Sequence, residues 1–210
     1  MKSYSLRVVA AIAALTLAVV AGWALGSLTS RPAVPGEGSA EAGFARDMQV
    51  HHLQAVDMSM IVRDHTEDPA IDQLAYDIAR SQQQQAGQMY GWLSLWGLPQ
   101  AATQPAMAWM NGAGHTTHGD TAAEGGAGTD TAMPGMATPE ELKELKAASG
   151  TEAERLYLEL MIDHHKAGVT MAEAILARTE NRVVTSLANS IVTSQQSEMG
   201  YMQQLLAARQ

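Results

Sequence analysis

Apolar residues follow three different patterns along the chain. From Val8 to Leu28 they form a run without a charged residue, and about 21 residues at 1.5 Å each give roughly 31 Å, enough to span a bilayer core. From about Glu41 to Trp96, and again from about Thr151 to Ala208, apolar positions recur every three to four residues, which predicts long amphipathic helices. Between these blocks, residues 99–137 are rich in Ala, Gly, Thr and Met without a sustained period, and read as a long connection.

Capping signals divide the blocks. A first helix is expected from about Glu41 to His65. Asp68-Pro69 supplies an N-cap followed by proline at the first helical position of a second helix. That helix should stop at Gly97-Leu98-Pro99, glycine with proline soon after. Thr138-Pro139-Glu140-Glu141 and Thr151-Glu152-Ala153-Glu154 both read as capping boxes. They open a short helix to about Ala148 and a third long helix to about Thr179. Asn181 caps a fourth, running to about Ala208.

The two blocks are copies of one another. Met48-x-x-His51-His52-x5-Met58 returns as Met161-x-x-His164-His165-x5-Met171, 113 residues later. The offset holds without a gap from Phe44–Met89 to Tyr157–Met202, with roughly 15 identities in about 46 positions. Each copy is one helical hairpin, so the expected fold is all-α: a pseudo-twofold four-helix bundle with the repeated residues in its middle. Met48, His51, Ala55 and Met58 lie on one helical stripe, as do Met161, His164, Gly168 and Met171. Small residues at Ala55 and Gly168 should leave space beside the histidines. On the partner helices the stripes are Ile78, Gln82, Gln85, Met89 and Ile191, Gln195, Glu198, Met202.

The expected organisation is residues 1–28 as signal anchor or signal peptide, 29–40 as a flexible spacer containing Pro32, Pro35, Gly36 and Gly38, and 41–210 as the bundle. Lys2 and Arg7 precede the apolar run, which keeps the N-terminus inside and sends the remainder out of the cytoplasm. The run is longer than the usual signal-peptide core, so a retained anchor across the membrane is favoured over cleavage near Ala24-Leu25-Gly26. The domain is extracytoplasmic in either case, membrane-anchored or secreted. The net charge of −9 becomes −11 without Lys2 and Arg7, which argues against nucleic acid as a partner.

The chain has no cysteine, so disulfides and thiolate metal sites are excluded. Neutral imidazole suits Cu, Zn, Fe and Ni, whereas thioether sulfur favours soft ions such as Cu(I). His51, His52, His164 and His165, with Met48, Met58, Met161 and Met171, are therefore the candidate metal ligands, and copper, as Cu(I) or Cu(II), is the expected ion. The connection adds Met107, Met110, His115, His118, Met133 and Met136, which could capture a second ion or be inert. Two other readings stay open. In one, the His pairs hydrogen-bond across the bundle in a structural or interaction module, with Trp92, Trp96 and Trp109 closing its end. In the other, the bundle is a redox enzyme, but Glu-x-x-His, which di-iron oxidases need, is absent, as is His-Glu-x-x-His.

The chain resembles the exported bacterial family known as domain of unknown function 305. The resemblance covers about Phe44 to Leu206. It rests on Asp47-Met48-x-x-His51-His52, on Gln82 with Met89-x-x-Trp92-Leu93 and Trp96, on Met133-Pro134-Gly135-Met136 before Thr138-Pro139-Glu140-Glu141, and on Leu160-Met161-x-x-His164-His165 with Met171-Ala172. It implies a ferritin-like four-helix bundle, and copper binding outside the cytoplasm, since some similar proteins bind copper. One departure stands out: Gln85 occupies a position where similar proteins commonly carry the glutamate seen here at Glu198. Asp163, before the second His pair, has no counterpart in the first copy.

Overall fold

The computed structural model describes residues 2–29, 34–111 and 133–209. Those residues form six α-helices, α1 (Lys2–Thr29), α2 (Ala40–His65), α3 (Pro69–Leu95), α4 (Pro139–Ala147), α5 (Gly150–Leu176) and α6 (Arg182–Ala207), with a 3-10 turn at Ala108–Met110 and no strand among them. The chain divides into two compact units, Met1–Val34 and Pro35–Gln210. The first is α1, whose stretch Val9–Gly26 is long and apolar enough to cross a membrane.

In the second unit α2 pairs with α3, α5 pairs with α6, and the two hairpins meet through α2 and α5. The hairpin turns are built alike. Asp68 accepts from the Ala70 N–H at 2.7 Å, and Asn181 accepts from the Val183 N–H at 3.2 Å. Just before them, Thr66 and Thr179 accept from the N–H of Asp68 and Asn181. These side chains occupy donors that a helix start would otherwise leave free. α3 ends as expected, with Gly97 at φ 70°. There the Leu98 N–H reaches the Leu93 carbonyl and the Gly97 N–H the Ser94 carbonyl, a Schellman motif.

Thr138 and Glu141 form the expected capping box of α4. The one expected at Thr151 does not form. α5 begins a residue earlier, at Gly150, and its N-cap Ser149 makes no side-chain cap bond. Glu154 instead turns inward, accepting from Thr66 Oγ1 at 2.6 Å and from Arg209 Nε at 2.7 Å. The repeat explains this choice. Thr179 donates to Glu41 as Thr66 donates to Glu154, so each copy's hairpin turn is tied to the start of the other.

All four long helices contribute to each of two apolar clusters. One contains Phe44, Met48, Met89, Met171 and Ile191; the other contains Met58, Ile78, Tyr157, Met161 and Met202. The connection after α3 straps over α2. Arg46 donates to the Pro99 carbonyl and pairs with Glu37 at 2.7 Å, while buried Asp47 accepts from the Met107 N–H and the Trp109 indole. Trp109 lies edge-on to Phe44 with ring centroids 5.7 Å apart. Gly43 makes room for it, because a Cβ there would stand 2.6 Å from the indole.

Near the C-terminus, Arg209 is 7% exposed and pairs with both Glu154 and Asp68. Replacing Arg209 by Ala leaves Glu154, itself 8% exposed, without its cation. The expected loss is about 2–3 kcal/mol, smaller than for a fully buried pair because Asp68 is partly solvated. Urea denaturation of the wild-type and Arg209→Ala chains checks this, and a change below about 0.5 kcal/mol would show that the clamp is not structural.

Candidate metal centre

Where α2 meets α5, the repeated motif faces itself. His51, His52, His164 and His165 are all 0% exposed. The His51 and His164 rings stack, with centroids 3.6 Å apart and planes 30° from parallel. Their sequence neighbours diverge, as adjacent helical positions must: His52 lies 6.4 Å from His51, and His165 lies 6.2 Å from His164, ring to ring.

Two hydrogen bonds orient the α5 histidines. His164 Nε2 stands 2.8 Å from the His51 carbonyl, and His165 Nε2 stands 2.7 Å from Glu198 Oε2. A carbonyl or carboxylate oxygen accepts, so Nε2 is the donor in both rings, and in neutral His164 the lone pair is assigned to Nδ1. Neither Nδ1 has a partner. On α2, both ring nitrogens of His51 and His52 lack one, as do the amide atoms of Gln82 and Gln195. The Pro134 carbonyl and the Gln85 side chain face His51 and His52 without reaching hydrogen-bond geometry.

Positive charge is excluded from three of the four rings. Burial, reinforced by His165, pushes His51 down to about 4. Burial and the neighbouring His51 take His52 to about 3. Burial, then His51 and His165, hold His164 well below the ordinary imidazole range. These three rings are therefore neutral near pH 7, with lone pairs available to an electrophile. As the rings stand, no three His, Asp or Glu side chains among the described residues could together hold a metal ion. The nitrogens are suited to a metal in type and number, but the His51–His164 stack must part for them to converge.

The methionines divide. Met48 and Met171, with Met89, belong to one apolar cluster, and Met58 and Met161, with Met202, belong to the other. The structure thus gathers the four histidines and sorts the four candidate methionines by pairs into two clusters. The space expected beside Gly168 is filled, because the Gln195 amide lies where a Cβ would go. Asp163 turns to solvent and pairs with Lys166, and Asp47 serves the strap, so neither carboxylate adjoins the histidines. His115 and His118 lie outside the described residues.

One feature of the centre was not anticipated from sequence. The turn Met133-Pro134-Gly135-Met136 docks across both copies. Gln54 of α2 brackets Ala137, accepting from its N–H at 2.7 Å and donating to its carbonyl at 2.9 Å. Gly135, at φ 74°, lies so close to α5 that a Cβ would stand 2.5 Å from the Ala167 Cβ and 2.7 Å from the Asp163 carbonyl. Gln54 and Ala167 are repeat-equivalent positions, so the turn straddles the pseudo-twofold axis. The available signal was Pro-Gly between two methionines, which marks a turn but not where it docks.

No curated protein matches the chain. Among solved structures, it is similar to a DUF305 protein from Streptomyces coelicolor described as secreted, with 46% identity, TM-score 0.72, and coverage of 83% of this chain and 96% of that one. It is similar to a DUF305 fragment from Deinococcus radiodurans, with 30% identity, TM-score 0.63, and coverage of 85% and 99%. CopM in its Cu(II)-bound form is a more distant likeness, with 25% identity, TM-score 0.59, and coverage of 80% and 96%. The sequence profile of DUF305, a domain of unknown function, matches residues 41–206, and with the fold and the paired histidines in place the chain belongs to that family.

Proposed function

We propose that this protein binds copper outside the cytoplasm, for sequestration or delivery, with no substrate turned over. The observation that carries the reading is the cluster of four buried imidazoles, six of whose eight ring nitrogens lack partners. A buried polar atom without a hydrogen bond costs on the order of 1–3 kcal/mol, a cost that ligation would offset. His51, His52, His164 and His165 would supply nitrogen ligands. Met48, Met58, Met161 and Met171, from the adjoining clusters, would bias the site toward Cu(I). The His51 carbonyl on His164 is the kind of outer partner that fixes ring orientation in metal sites. The likeness to CopM, which binds Cu(II), supports the same ion here. Helix α1, as a membrane anchor or signal segment, would place the domain outside the cytoplasm.

A structural role for the histidines has one observation in its favour, the His51–His164 stack itself. Titration of the full chain in detergent with Cu(I), Cu(II) and Zn(II) separates the readings, repeated after replacing all four histidines by glutamine. The expected result is copper binding that weakens by roughly 100-fold or more in the quadruple variant, with helical circular dichroism retained. Binding unchanged by the replacement would move the site to residues 99–137, His115 and His118 included. No binding by a folded wild type would leave the structural role.

The depressed His51 and His52 values, with that of His164, also contribute to the acid sensitivity of the metal-free protein. The unfolded chain takes up protons near 6.5, while the folded chain resists until about 4 for His51 and about 3 for His52. Stability is therefore full above about pH 6.5 and falls as pH drops from there toward 4, by up to about 1.4 kcal/mol per pH unit for each proton excluded. Thermal melts of the apo protein between pH 4 and 8 should show this slope. In His51→Gln/His52→Gln it should flatten, and an equal slope in that variant would locate the acid sensitivity elsewhere.

A further inference from the structure

The four histidines are sealed from solvent, yet any ion they bind must reach them. On the side covered by residues 133–137, Gln54 holds Ala137 at both backbone atoms and Gly135 sits at contact distance on α5, so that approach is closed. The His52 side is bounded by Gln85, uncharged and 8% exposed. The His165 side differs. Glu198 touches His165 Nε2 at 2.7 Å while its own side chain is 24% exposed. It opens on a groove between α3 and α6, lined also by Gln73, Asp77, Ser197 and Tyr201. A solvent-reaching carboxylate is thus joined directly to a buried imidazole whose other nitrogen, Nδ1, has no partner.

We propose that the α3–α6 groove is the port through which copper reaches the histidine layer, with the Glu198 carboxylate as the outer ligand that captures the cation and passes it to His165. This rests on the proposed copper-binding function and adds its route. Asp77 in the same groove raises the local negative potential, which draws cations from solution and speeds encounter. At Glu198 the arriving ion takes the place of the hydrogen bond from His165, freeing that ring to turn toward the metal. The repeat-related position carries Gln85, which has neither charge nor comparable exposure, so the port is single although the fold is doubled.

The test is stopped-flow quenching of tryptophan fluorescence by Cu(II) in the full chain in detergent, at several salt concentrations, alongside equilibrium titration. Glu198→Gln keeps an oxygen that can accept from His165 and removes the charge. It is expected to slow uptake by roughly tenfold and to flatten the salt dependence, while the dissociation constant changes by less than about threefold. Glu198→Asp should restore a salt-dependent rate. Gln54→Ala, which loosens the opposite side, should leave the rate unchanged. Wild-type kinetics in Glu198→Gln overturn the port, as does faster uptake in Gln54→Ala, which would put access at the turn. Loss of equilibrium binding in Glu198→Gln, with folding intact, also overturns it by making Glu198 a resident ligand. If wild type takes up no copper, port and function both fail; normal uptake indifferent to Glu198 removes the port alone.

Discussion

His51 and His164 lie face to face where α2 meets α5, their rings 3.6 Å apart and shut away from water. Imidazoles so close cannot both be charged, and burial already disfavours the charged form of each. The stacked pair is consequently polar but uncharged. The layer around it lies among apolar side chains that exclude water, and it leaves ring nitrogens and two glutamine amides without partners. A core built only for stability would fill these positions with aliphatic groups, since each unpaired atom costs on the order of 1–3 kcal/mol. The surrounding clusters must outweigh that cost, and all four long helices contribute to each of them.

The repeat gives this layer its location, and departures from the repeat give it direction. Thr66 with Glu154 and Thr179 with Glu41 tie the two hairpins reciprocally, and the His pairs meet between these ties. Symmetry would have His51 return the bond that His164 makes to its carbonyl. It does not, and Pro134 of the docked turn faces that ring instead. Symmetry would also place like residues against His52 and His165. Gln85 and Glu198 differ, and only the second combines a hydrogen bond to its histidine with a negative charge near solvent. The two copies therefore share a scaffold but not a chemistry.

Much of this was legible in the sequence because it is encoded locally or periodically. The caps at Asp68, Thr138 and Asn181 and the stop at Gly97 depend on residues within a few positions of each helix end, and they form as read. The burial of the four histidines followed from helical spacing and the repeat offset. What the sequence hid depends on distant partners. Glu154 has the spacing of a capping-box residue but finds Thr66 and Arg209, 88 and 55 residues away. Gly168 looked like empty space beside a histidine until the Gln195 side chain filled it. Asp163 stands next to a histidine in the chain, yet the 100° turn between neighbours sends it outward to Lys166. The docking of Gly135 on Ala167 joins segments whose spacing carries no period at all.

Pseudo-symmetry also constrains how metal would be shared under the proposed function. A centre on the twofold axis occurs once, whereas anything off the axis occurs twice. The stacked His51 and His164 lie across the axis, with His52 and His165 as repeat-related neighbours, so under the proposed function the nitrogen donors would form one shared centre. The thioethers follow the other rule. Met48, Met89 and Met171 fall in one cluster, and their repeat-equivalents Met161, Met202 and Met58 fall in the other. Thioethers would therefore have to reach the histidine layer from two separate clusters. Imidazole serves either oxidation state of copper and thioether favours Cu(I). The methionines would accordingly act on which state is retained, while the single histidine layer sets how many such centres the chain can build.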